Sequence, residues 1–316
     1  MTARENIISV ITRKDPGWIP YRYDGCLTML KPNIVVRPVQ GGLDDWNVNW
    51  IGTSETEGSY PDGKPVIDID RIEELQVPTT DFHKVTERMR ESVRGLADQD
   101  TLIIGYNELT LFERAEQLLG FDNFLMATAL KPARVKQLLD TITAYQQRLT
   151  EATLRAGVSG IRFTDDWGTQ ASLFISPENW RQLIKPGMKR LYETVKKYGA
   201  FVFQHSCGHI EEIVPDLIEI GVDVLDPCQP KANDIFRWKK EYGDGLSFMG
   251  GLDTQGYLGF GDPGFVREKV KEVASIMSEG GGYIAAPSHT ITIPEDNKNA
   301  MLDALDELNQ KQWGYR

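Results

Sequence analysis

The chain is poor in the residues that staple, anchor or charge a protein. Three cysteines, Cys26, Cys207 and Cys228, are spread over 316 residues, an odd number at spacings that suggest no disulfide framework and fit a reducing, cytoplasmic setting. Histidine is nearly as scarce, with four in all. No uncharged apolar run nears the roughly 18 residues of a membrane span. The start, Met1-Thr-Ala-Arg-Glu-Asn-Ile-Ile, has no apolar core of the kind a signal peptide carries. Positive charge is in deficit: 35 Lys+Arg stand against 46 Asp+Glu, a net charge of −11. That balance argues against nucleic acid or an anionic membrane as partner. No Gly-x-Gly-x-x-Gly follows the first strand-like stretch and no P-loop is present, so dinucleotide and nucleoside triphosphate chemistry are not expected.

What is present is a rhythm. Thr2 and Glu5 have the spacing of a capping box and predict a helix at the start. Trp18-Ile-Pro-Tyr-Arg-Tyr23 reads as a first core strand closed by Asp24-Gly25. Residues 26–80 are turn-rich and aromatic, with strand-like pieces at 33–38 and 46–50. They read as an inserted, lid-like elaboration, since so long an irregular stretch is usually functional. Beyond residue 80, helical patterns at 81–96, 109–119, 121–129, 132–156, from 176 to about 197, near 232–241, 263–279 and from 294 alternate with short apolar strands. Those strands lie at 101–105, 160–164, 200–204, 222–225, 246–249 and 283–286. Strand and helix in alternation describe parallel βαβ units. Seven strands, with an eighth expected inside 33–50, predict a single α/β domain over 1–316, a (β/α)8 barrel with an N-terminal strand-and-loop elaboration. A doubly wound open sheet is the alternative.

Active sites of parallel α/β folds sit at the carboxyl ends of the strands. There the sequence places Tyr23 and Asp24, then Tyr106, Asn107 and Glu108, then Asp165 and Asp166. His205, Cys207 and His209 follow, then Asp226 and Cys228, Asp253, and finally Ser288 and His289. Three of the four histidines fall at such positions, and only His83 does not. Residues two apart on a strand face the same way, so His205 and Cys207 can reach one metal ion, and imidazole and thiolate suit zinc. A core histidine beside a buried thiol is the plainer alternative. His209 opens a helix and Cys228 sits between prolines, so neither is taken as a ligand. Asp253 can simply cap the next helix. Adjacent Asp165 and Asp166 point to opposite faces, so one of them alone should reach a site.

At these residues the chain resembles the uroporphyrinogen decarboxylase superfamily, and within it the zinc- and corrinoid-dependent methyltransferases. The resemblance is carried by His205-Ser-Cys207-Gly208, Gly250-Gly-Leu-Asp253, Asp165-Asp-Trp-Gly-Thr-Gln170 with Ile175-Ser-Pro-Glu178, Phe112-Glu-Arg-Ala115 and Leu119-Gly-Phe-Asp-Asn123. It implies a (β/α)8 fold and zinc held by His205, Cys207 and, in place of the usual third cysteine, His289. Asp165, Asp166 and Glu108 are the implied proton-handling residues. Tyr21, Tyr23, Trp46 and Tyr106 would bind a flat or apolar substrate, with Trp18 and Trp50 nearby. The implied reaction is O-demethylation: a small methylated donor, a methoxylated aromatic first, gives its methyl group to cobalamin. The chain has no Asp-x-His-x-x-Gly, so the cobalamin is expected on a separate corrinoid protein. A monomer and a homodimer stay open. The arginine-rich N-terminal stretch of true decarboxylases is reduced to Tyr21-Arg-Tyr-Asp24, which argues against a porphyrinogen substrate. The alternatives are a metal-free decarboxylase of a small carboxylic acid, centred on Asp165 or Asp166 and His289, and a non-catalytic binding barrel.

Overall fold

In a computed structural model, residues 1–22, 24–53, 58–289 and 291–314 are described. Ten strands are present among them: β1 Leu27–Leu30, β2 Gly41–Leu43, β3 Asn49–Gly52, β4 Ser59–Pro61, β5 Leu102–Asn107, β6 Gly160–Thr164, β7 Phe201–His205, β8 Val224–Asp226, β9 Ser247–Leu252 and β10 Tyr283–Pro287. Seven form one parallel sheet in the order β1-β5-β6-β7-β8-β9-β10, and β2, β3 and β4 form a small antiparallel sheet.

The large sheet curls back on itself. Ala285 of β10 donates to Pro20 O, and Arg22 N donates to Ala285 O. A few residues later Leu102 N of β5 donates to Cys26 O, and β1 pairs with β5 in parallel. The five steps from Arg22 to Leu27 span at most about 17 Å, so the two edges of the sheet lie within reach of one short piece of chain. The architecture is an α/β barrel in which residues 18–30 supply both the closing contact and an edge strand. This corrects two expectations. The stretch from Trp18 makes only a bridge at Tyr21, and the core strand is Leu27–Leu30. No barrel strand lies in 33–50: 33–38 is irregular, and Trp50 belongs to the antiparallel sheet.

Two apolar layers hold the barrel. Its interior is filled by Leu102, Ile104, Phe203, Val224, Met249 and Ile284. The first helix, Ala3–Ile11, plugs one end of this interior with Ile7, Val10 and Ile11, and its start carries the expected capping box from Thr2 to Glu5. Ile161, Phe163 and Val202 face outward into the larger layer beneath the surrounding helices. Among the described residues no helix is long and apolar enough to cross a membrane.

Candidate metal and substrate site

The same two-residue period that fills the barrel builds the site. Phe203 points into the interior, so His205, two residues on, faces the axis at the carboxyl end of β7. By the same count Tyr106 follows Ile104, Asp226 follows Val224 and Ala286 follows Ile284. On β6 the outward pair Ile161 and Phe163 leaves Arg162 and Thr164 facing in. All of these inward residues border one cavity of about 550 Å³, which Arg22, Arg37, Glu108, Glu113, Asp166, Cys207 and His289 also line.

Asp166, His205 and Cys207 each place a donor atom within 4.8 Å of the others. His205 Nε2 is 3.5 Å from Cys207 Sγ and 3.7 Å from Asp166 Oδ1. The Cys207 backbone N–H donates to Asp166 Oδ1 at 2.8 Å. Two glycines let these loops meet. A Cβ on Gly208, whose φ is +83°, would overlap the Gly168 carbonyl, and one on Gly168 would overlap the His209 backbone. The approach is sealed by His209 N–H donating to Thr169 O at 2.7 Å.

Behind His205, Nδ1 lies 2.5 Å from Asp226 Oδ1. Arg162 grips the same carboxylate through Nε at 2.9 Å and Nη2 at 2.5 Å. Burial works against the charge on Asp226, but Arg162 and His205 outweigh it and hold the carboxyl well below the usual range. An ionised carboxylate only accepts, so the tautomer with its proton on Nδ1 suits this contact and would leave Nε2 facing the cluster. A histidine fixed by a carboxylate in this way is the usual outer support of a metal ligand. Burial, with Asp166, Asp226 and Glu113 adding negative charge, pushes the Cys207 thiol far up. A divalent cation among these donors would reverse that repulsion, because a coordinating thiol is deprotonated. Nitrogen, sulfur and carboxylate oxygen together are a donor set that zinc accepts.

The remaining expected residues are placed unevenly. Tyr106 and Glu108 line the cavity, Glu108 being paired with Lys31 at 2.9 Å. His289 lines it too, but is exposed and stands outside the three-residue group; Asp166 takes the third place. Asp165 is fully buried and faces away: it accepts backbone N–H groups of Leu111, Phe112 and Glu113 and the Trp167 indole N–H. It therefore serves as a distant cap for the helix Phe112–Leu119, which has no cap of its own. Burial pushes its carboxyl up to about 7 against those four donors. Tyr21 reaches Asp306 on the last helix, 3.2 Å away, and does not line the cavity. Trp46 is buried, edge-on to Tyr145 at 5.1 Å, and lines a neighbouring chamber instead. Tyr23 lies outside the described residues. His209 and Cys228 bond Ala232 O and Leu225 O respectively, away from the cluster, and Asp253 caps Gln255 N.

Glu113 was not singled out from the sequence, although Phe112-Glu-Arg-Ala115 was. It lines the cavity, and burial together with Asp166 and Asp165 raises its carboxyl well above the glutamate range. Arg37 is a second addition, brought to the cavity from beyond β1.

A sequence profile described as uroporphyrinogen decarboxylase (URO-D) matches residues 52–308. The chain belongs to the uroporphyrinogen decarboxylase family. Among curated relatives, uroporphyrinogen decarboxylase of Thermus thermophilus is 24% identical over 176 residues, 54% of this chain and 48% of that protein. The chain thus spans about half the length of the first curated relatives it matches. The enzyme of the same name from Citrifermentans bemidjiense is 24% identical over 262 residues, covering 78% of this chain and 73% of the relative. Among solved structures, a methyltransferase from Methanosarcina mazei superposes with a TM-score of 0.75 at 17% identity, covering 97% of this chain and 99% of that one. At that identity the likeness is one of fold.

Proposed function

We propose that this family member is a zinc-dependent enzyme that moves a methyl group from a small methylated donor to the cobalamin of a separate corrinoid protein. The observation that carries the reading is the convergence of Asp166, His205 and Cys207 donors within 4.8 Å at the wall of a large cavity. Those three residues would hold the metal and leave a fourth position for substrate or water. Zinc bound there supplies a Lewis acid that stabilises negative charge on the departing atom. Asp226 keeps His205 in the tautomer and orientation that ligation needs. Glu113 lines the same cavity, its carboxyl pushed well above the glutamate range by desolvation and by Asp166 and Asp165, which would suit it to give a proton to the departing oxygen. Glu108, committed to Lys31, and Asp165, turned away, are less well placed for that step. Arg37, Val39 and Gly58 border one side of the cavity, and the described parts of the segment 26–80 would act as its lid. A methoxylated aromatic remains the first choice of donor.

The test is methyl transfer from 2-methoxyphenol to free cob(I)alamin, followed by loss of the cobalt(I) absorbance, with zinc counted in the same preparation. Transfer that requires zinc and disappears in His205→Ala supports the reading. Transfer unaffected by removing zinc defeats it. A second reading, decarboxylation of a small acid, is favoured by the guanidinium groups of Arg22 and Arg37 along the cavity and by the names of the curated relatives. Carbon dioxide release without zinc or cobalamin would establish it in place of methyl transfer.

A further inference from the structure

The loop after β8, residues 226–233, runs beside the loop that carries Cys207 and bonds it almost residue by residue. Asp226 holds the His205 ring at 2.5 Å, and its carbonyl accepts from Ser206 N at 2.9 Å. Gln229 Oε1 accepts from Gly208 N at 2.6 Å, and Asn233 Nδ2 donates to Gly208 O at 2.9 Å. Ala232 O accepts from His209 Nδ1 at 2.7 Å, and Asn233 Oδ1 accepts from Ile210 N at 3.1 Å. Between His205 and Ile210, among the described residues, Cys207 alone has no bond to this loop; its N–H goes to Asp166 instead.

Gln229 and Asn233 are buried, at 6% and 7% exposure, where an amide side chain is unfavourable unless it is hydrogen-bonded. Asn233 has one workable orientation, because the Ile210 N–H needs its oxygen and the Gly208 carbonyl needs its nitrogen. The direction of a side chain follows from the two peptides that flank its Cα. Asp166 fixes the peptide before Cys207 through the Cys207 N–H, and Gln229 fixes the peptide after it through the Gly208 N–H. Asn233 then holds the far side of Gly208, whose φ of +83° lies where glycine moves freely. The supporting loop is itself tied down: Gly251 N donates to Pro227 O and Asn233 N to Gln229 O, both at 3.0 Å.

We propose that Gln229 and Asn233 are positioning residues for the Cys207 thiol, holding it beside His205 and Asp166 as metal binding requires. Neither belongs to the three-donor group, so both act through the backbone of Gly208. The inference rests on the reading of that group as the metal site. A comparison residue lies elsewhere in the barrel. Asn309, 1% exposed, grips Ile19 in the same manner: its Oδ1 accepts from Ile19 N at 2.8 Å and its Nδ2 donates to Ile19 O at 3.0 Å. That grip serves the barrel closure and has no contact with the Cys207 loop.

The test has two readouts: zinc affinity by competition with a chelator, and the rate at which iodoacetamide alkylates Cys207 in metal-stripped protein, followed by peptide mass spectrometry. Cys26 and Cys228 are buried and Cys207 is half-buried, so the reagent meets Cys207 first. Gln229→Leu should weaken zinc binding about 10–100-fold. It should also speed alkylation on the order of tenfold, because thiol reactivity follows access. Gln229→Glu keeps an oxygen for the Gly208 N–H and should stay close to the wild type in both. Asn233→Ala should move both readouts in the same direction as Gln229→Leu, and serves where that variant does not fold. Asn309→Ala should lower Tm and leave both readouts at the wild-type value. Alkylation at the wild-type rate in the Gln229→Leu and Asn233→Ala proteins overturns the proposal. Equal acceleration in Asn309→Ala also overturns it, by making the effect one of general stability. So does unchanged zinc affinity where the wild type binds zinc. A wild type without zinc, with the alkylation contrast intact, sinks the metal reading and leaves the positioning of the thiol standing.

Discussion

The backbone N–H of Cys207 donates to Asp166 Oδ1 at 2.8 Å, so the loop after β7 holds the carboxylate that the loop after β6 presents. The bond runs from the Cys207 main chain to the Asp166 side chain, so no side-chain substitution at Cys207 removes it. Losing the His205 or Cys207 donor should therefore empty the proposed metal position without parting the loops, whereas Asp166→Ala removes this bond as well. Asp166→Ala, His205→Ala and Cys207→Ala are each expected to fall below about a tenth of the wild-type zinc content, measured by elemental analysis of protein made in zinc-replete medium. His289→Ala should retain zinc, which decides between the two candidates for the third ligand.

Asp226 stands behind His205, outside the three-donor group, and is hydrogen-bonded to its ring. Asp226→Asn should weaken zinc binding by about 10–100-fold, the usual effect of removing an outer carboxylate. Competition with a chromophoric chelator measures it, and unchanged affinity would show that His205 is oriented by other means.

Asp165→Asn should act on stability. It places an amide group against a buried carboxylate's four donors, three of them at the start of the helix Phe112–Leu119. A loss of about 2–4 kcal/mol is expected in urea denaturation, with zinc stoichiometry of the folded fraction unchanged. Zinc loss at unchanged stability would put Asp165 in the site after all.

Glu116, on the same helix, is pushed up to about 7 from the ordinary 4.5 by burial and by Asp165 and Asp166. The unfolded chain ionises first, so below about pH 4.5 the two states hold this proton alike. Between 4.5 and 7 stability falls as pH rises, by at most about 1.4 kcal/mol per unit from this group. Denaturation of metal-stripped protein across that window should show a shallower slope in Glu116→Gln than in the wild type.

Gly208→Ala should be far more damaging than an exposed Gly-to-Ala change. Its Cβ has no room against Gly168, and its φ of +83° disfavours any side chain. The loops at 166–169 and 207–209 must then part, taking Asp166 from Cys207. Tm and zinc content should fall together. A stable variant with full zinc would show that the close approach is dispensable.

Much of this was written in local sequence. The alternation of short apolar strands with capped helices is a property of neighbouring residues, and it sufficed for the barrel class and for strands β5 to β10. The pairing of His205 with Cys207 was legible for the same reason, as was the rule that only one of Asp165 and Asp166 faces inward. Counting by twos from Arg162 through Thr164 to Asp166 would have named which.

What the sequence could not decide depends on contacts between distant segments. Tyr21 and Trp46 have the composition of a substrate wall, but packing gives Tyr21 to Asp306 and Trp46 to Tyr145. The shortness of the passage from the closing bridge at Tyr21 to β1 depends on both sheet edges being close, and only the closed barrel makes them so. Glu113 becomes a site residue because Asp165, 52 residues away, sets the start of its helix at the cavity. His205 and Cys207 were fixed by a two-residue spacing. Their partner Asp166 was fixed only when two glycines let the backbones touch, because that separation is set by the folded sheet and by no local preference.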